Sequence, residues 1–152
     1  MTKFQFRLAA VLRLREIELR TEREKLNQLL SERTRLERSL ASVDEERAEA
    51  HSFVHARPDA GSTELRALSA FLLGSDARAA ALRGSIERLE PVIAGQRARV
   101  IVADRNERLL LKLKEKRLAE WGIEQDRDGE ALAEECRVAA YRRGRRYGPK
   151  LP

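Results

Sequence analysis

Aromatic residues make up only 5% of this 152-residue chain. That shortage, beside a charged content of 37%, argues against a compact domain. One cysteine is present, Cys136, so no internal disulfide can form and a reducing compartment is expected. Long hydrophobic runs are missing too. No stretch approaches the roughly 20 apolar residues needed to span a bilayer. The apolar run from Leu8 to Leu12 is too short for a secretory signal and is followed at once by Arg13. Catalytic signatures are absent: there is no phosphate-cradling Gly-x-x-x-x-Gly-Lys, no nucleophile elbow and no His-Glu-x-x-His. The reading is of a non-enzymatic cytoplasmic chain with no cofactor and no metal. His51 and His55 have ligand spacing, but with Asp59 in a loop and Cys136 far away they read as surface histidines.

What the chain does have is apolar periodicity. With Leu12 at heptad position a, the a positions are Leu12, Leu19, Leu26, Arg33, Leu40, Arg47 and Val54. The d positions are Leu8, Arg15, Glu22, Leu29, Leu36, Val43 and Ala50. Ten of the fourteen are apolar, as a coiled-coil seam requires, and the four charged exceptions help to set register. Pro58 and Gly61 then break the helix, and Ser62 or Thr63 can cap the next one, with Glu64 near its positive end. A second seam follows: Leu65, Leu68, Leu72, Ser75, Ala79, Leu82, Ile86, Leu89, Ile93, Gln96, Val100 and Ala103.

The fold expected is all-α, one antiparallel two-helix coiled-coil hairpin over residues 1–152. Helix 1 is placed at about 4–56, the turn at 57–62, helix 2 at about 63–143 and a flexible basic tail at 144–152. Pro91 is expected to kink helix 2 or split it. A turn centred near residues 59 and 60 sets Leu8 opposite Leu111 and Phe4 opposite Glu115. Residues from about Lys116 to Arg143 are then left without a partner, and a lone helix of that kind frays or docks on another molecule.

The net charge of +6 is unevenly spread. Residues 1–15 hold Lys3, Arg7, Arg13 and Arg15 and no acid; residues 137–152 hold six basic groups and no acid. The stretch between them is left at −4, so the ends suit acidic partners. Near the hairpin tip, Phe53, Phe71 and Leu73 fall outside the a and d positions and either flank the seam or meet a partner. Leu14 and Ile17 pose the same question on the first helix.

The opening Lys3-Phe-Gln-Phe-Arg-Leu-Ala-Ala-Val-Leu-Arg-Leu-Arg-Glu16 resembles that of the FliJ family, the coiled-coil protein of flagellar type III export. Lys112-Leu-Lys-Glu-Lys-Arg-Leu-Ala-Glu-Trp121 is similar to the family's Glu-(Lys/Arg)-Arg-x-x-x-(Tyr/Trp) stretch. Leu132-Ala-Glu134 stands where Leu-Asp-Glu is common, with Ala133 in place of the Asp. The resemblance implies a protein similar to the central stalk of rotary ATPases. Its partners would be a hexameric flagellar export ATPase, an export-gate membrane protein and export chaperones to be recycled, and these partners would hold it peripherally at the inner membrane. The residues expected to face the ATPase are Phe4, Arg7, Leu8, Arg13, Arg117 and Trp121; those expected to face the gate are Phe53, Phe71 and Leu73. Self-association is a further possibility. The alternatives are the stalk of a virulence type III secretion system, a spacer, or a basic nucleic-acid binder. No nucleic-acid-binding signature accompanies the arginines, so nucleic acid is not the expected partner.

Overall fold

A computed structural model of the chain describes residues 3–59 and 61–146, with side chains as far as Arg143. Two helices make up nearly all of it: α1 (Ala9–His55, 47 residues) and α2 (Ser62–Arg146, 85 residues), with no strand among the described residues. Contacts divide the chain into two units, residues 15–105 and residues 1–14 with 106–152.

Within residues 15–105, α1 and α2 pack antiparallel along a single seam, the all-helical hairpin expected. The direction is fixed by pairs whose numbers run oppositely: Arg23 with Asp104 at 3.1 Å, Arg33 with Glu90 at 3.1 Å, Arg47 with Asp76 at 2.7 Å. Every a and d position of α1 from Arg15 to Val54 is buried or half-buried, and so is every seam position of α2 from Leu68 to Ala103. Val43 and Ile93 are each only 1% exposed, and such a side chain contributes about 1.5–3 kcal/mol.

The charged seam positions are engaged with partners. Arg33 also reaches Glu37 at 2.9 Å, and Arg47 reaches Asp44 at 3.6 Å, although the Arg47 Nε is buried with no partner. Buried Gln96 donates to the Glu22 carbonyl at 3.0 Å and to the Glu22 carboxylate. These pairs suit one register. A slip of one heptad toward the C-terminus of α2 would set Arg47 against Arg83 and Arg33 against Arg97. The opposite slip would set Arg33 against Arg83 and Arg23 against Arg97. Either way arginine meets arginine, so the exceptions to the apolar pattern select the alignment.

The α2 helix is unbroken through Pro91, so the split into two helices does not occur. Leu89 and Ile93 anchor it on both sides, and Pro91 and Glu87 are exposed, so water can reach the carbonyl that loses its donor. The cap differs from the expectation as well. Gly61 takes the N-cap position, its carbonyl accepting from Leu65 N at 3.1 Å, and Glu64 Oε2 accepts from Gly61 N at 3.2 Å. That is the reaching-back half of a capping box, with glycine serving where a side-chain cap was expected. The expected tail divides: α2 continues through Gly144 to Arg146, and residues 147–152 lie outside the described residues, as do residues 1, 2 and 60.

In the other unit, helix 1 does not begin at residue 4. Residues 3–6 are outside any helix, a turn closes with Ala9 N donating to Phe6 O at 3.0 Å, and α1 starts at Ala9. The ion pairs Arg33–Glu90, Arg47–Asp76 and Arg23–Asp104 already align α1 with residues further along α2 than a turn centred on residues 59 and 60 predicts. Phe4 meets Trp121 rather than Glu115, and residues 116–125 of α2 are not without a partner. From Asp126 to Arg143 every side chain is exposed except Ala139.

Replacing Arg33 and Arg47 together by Leu should leave thermal stability unchanged or raise it by about 0–2 kcal/mol, because partly buried ion pairs rarely outperform apolar packing. Distances between spin labels across the seam should broaden at the same time; a clear loss of stability would refute this account. The Glu22 carboxyl is held below the ordinary glutamate range, first by Lys25, which donates to it at 2.7 Å, and then by Gln96. Its stabilisation is complete above the ordinary glutamate pKa and is lost as pH falls through the lower folded value. Glu22→Gln should thus destabilise the chain at neutral pH, with a penalty that shrinks toward zero in acid, as acid-dependent unfolding curves would show.

Candidate functional site

The N-terminal segment and one face of α2 enclose a groove of about 650 Å³. The helix contributes Leu113, Arg117, Glu120, Trp121 and Glu124, spaced three and four apart and hence on one side. The segment contributes residues 3–8, in which Phe4 and Phe6 are half-buried while Lys3, Gln5 and Arg7 are exposed. Phe4 and Trp121 pack with ring centroids 6.0 Å apart and planes tilted by 56°, a favourable aromatic geometry. Arg117 donates to Glu120 at 3.1 Å, and Lys116 lies 4.0 Å from the same carboxylate. The rim thus carries Lys3, Arg7 and Arg117 beside Glu120 and Glu124, with Arg117 and Glu120 paired to each other.

Of the six residues expected to face an ATPase, five line this groove: Phe4, Arg7, Leu8, Arg117 and Trp121. Arg13 is exposed on α1 and is not among the lining residues. Phe6 and Leu113 were missed by the sequence reading. The alternation Phe4-Gln5-Phe6-Arg7-Leu8 was the available signal, since a period of two marks non-helical chain with one covered face.

The other candidate group is not one patch. Phe53 is 62% exposed, and Arg57 lies 4.5 Å above its ring and also 3.2 Å from Glu64. Phe71 and Leu73 are both exposed but stand two apart on α2, on opposite flanks of the half-buried Leu72. Leu14 and Ile17 are exposed as well. His51 and His55 stack at 4.2 Å, and no group of three potential metal ligands occurs among the described residues. No described helix is long and apolar enough to cross a membrane.

Trp121 is the chain's only tryptophan, so its fluorescence reports on the groove. Phe4→Ala should shift its emission to the red and increase quenching by acrylamide, with helicity unchanged. An unaltered spectrum would mean that the aromatic pair does not form.

A family model described as flagellar FliJ protein matches residues 4–146. Searches of curated proteins and of solved structures return no significant match. Since the matched stretch takes in both helices and the aromatic pair Phe4–Trp121, the chain belongs to the FliJ family and is a component of flagellar type III protein export.

Proposed function

We propose that this chain binds the hexameric flagellar export ATPase as a stalk-like element and couples that ring to the export gate and to chaperone recycling. The ATPase-facing residues are Phe4, Arg7, Leu8, Arg13, Arg117 and Trp121. The observation that carries this reading is the contact between Phe4 and Trp121, which unites residues from opposite ends of the sequence in one aromatic, cation-rimmed groove. Tryptophan and arginine are among the residue types that most often dominate protein–protein binding. The exposed stretch of α2 from Asp126 to Arg143 gives the ring a further helix to enclose, and the basic ends favour acidic walls.

Phe53, Phe71 and Leu73 are assigned to the gate. Because Phe71 and Leu73 lie on different flanks of α2, they would meet two surfaces of that partner rather than one pocket. On this reading the chain works on the cytoplasmic face of the inner membrane, held there by its partners, and has no catalytic role of its own.

The test is a pull-down with the export ATPase of the same organism. The double variant Arg117→Ala, Trp121→Ala should lose at least about tenfold in affinity, the scale of one truncated hot-spot residue, while keeping its helicity. Retained affinity would remove the assignment.

A further inference from the structure

We propose that residues 3–8 form a displaceable strap that covers Trp121 in the free chain and has to leave α2 before a partner can pack on that face. This rests on the reading of the groove as the ATPase-facing surface and adds a control on access to it.

The strap occupies the apolar part of that surface. Phe4 lies on Trp121 with ring centroids 6.0 Å apart, and Phe4, Phe6, Leu113 and Trp121 are all half-buried. A partner that packs on Trp121 must therefore take the place of Phe4. The hold on the strap is light. Among the described residues no hydrogen bond or ion pair joins residues 3–8 to α2, and the bonds of the joint stay local: Ala9 N donates to Phe6 O at 3.0 Å and Leu12 N to Leu8 O at 2.9 Å. About 650 Å³ lies open between strap and helix, where a close-packed contact would leave almost none. Nothing pins the joint either. Leu8 stands at the N-cap of α1 with no side-chain acceptor to offer the free N–H groups, and the first turn of α1 holds no acid. Segments with few apolar contacts and no hydrogen bonds to their support open at the lowest free energy.

The alternation along the strap supplies its trigger. Phe4 and Phe6 are half-buried, whereas Lys3, Gln5 and Arg7 are exposed. Glu120 on α2 is engaged by Arg117 at 3.1 Å, and among the described residues neither Lys3 nor Arg7 pairs with it or with Glu124. The strap therefore has an apolar inner face and a cationic outer face whose charges are free to meet a partner. An acidic surface is drawn to Lys3 and Arg7 first. Contact there competes with the packing of Phe4 and Phe6, and departure of the strap uncovers Trp121 and Leu113 for the same partner. A surface without acidic groups lacks that first step.

Fluorine NMR on the full chain, labelled with 5-fluorotryptophan, tests the strap without any partner, because Trp121 is the chain's one tryptophan. The double variant Phe4→Ser, Phe6→Ser gives the position of the uncovered ring; both residues lie outside the helices, so circular dichroism should be unchanged. The wild-type resonance should show exchange, or move on warming, toward that position while the helices are still folded. A wild-type resonance that stays apart from the variant's and shows no exchange until the helices melt would overturn the proposal. Mixing with the export ATPase tests the control on access. The double variant should associate at least about threefold faster, the gain from freeing a site open roughly a third of the time, and should dissociate faster because one contact is lost. Lys3→Glu, which reverses the outer charge, should slow association. Association no faster in the double variant, or indifferent to Lys3→Glu, would also overturn it. The ring reading fails separately. If the Arg117→Ala, Trp121→Ala variant binds the ATPase as the wild type does, the ring assignment falls, and the fluorine spectra alone decide the strap.

Discussion

One line of apolar contact between two helices holds residues 15–105 together, and it is thin. Only a handful of side chains, among them Leu19, Val43, Ala79, Ile93 and Ala103, are fully buried in it. Each contributes a modest amount, so stability accumulates through length rather than depth. A seam of this kind is cheap to slip, because one heptad resembles the next. The polar side chains set into it remove that freedom. Arg33 and Arg47 find Glu90 and Asp76 in the observed alignment and would meet arginines after a one-heptad slip. The Arg47 Nε, buried without a partner, shows that this selection is made at some cost in stability.

The same thinness leaves no room for a deep cavity within the seam, so a groove needs a third wall. Here the wall is chain that refuses to be helical. Residues 3–6 leave the helical path, and their alternation turns Phe4 and Phe6 toward α2. The segment meets α2 at Trp121, in line with the alignment that Arg33–Glu90, Arg47–Asp76 and Arg23–Asp104 set.

Charge then sorts the surfaces. Lys3, Arg7 and Arg117 rim the groove together with Glu120 and Glu124, while Asp128, Glu130, Glu134 and Glu135 follow it along α2. Alternating fields of this kind speed encounters with complementary partners more than they strengthen the final contact. Within residues 15–105, Phe53 is held by Arg57, which Glu64 in turn holds, so the side chain that accepts from the N-cap Gly61 also orders an exposed aromatic.

The heptad pattern by itself determined the all-helical class, the two seams and the antiparallel pairing, since a and d spacing and a short break leave few alternatives. The resemblance to the FliJ family, and not the heptads, assigned Phe4, Arg117 and Trp121 to one end. The heptads did not determine where α1 begins, what happens at Pro91, or which residue caps α2. Those depended on whether neighbours such as Leu89 and Ile93 could hold a weakened helix, and on whether Glu64 could stand in for a side-chain cap. Only the tertiary structure decided that Phe4 lies on Trp121, because the alignment of one helix on the other is fixed by packing and ion pairs across the seam and not by local preference.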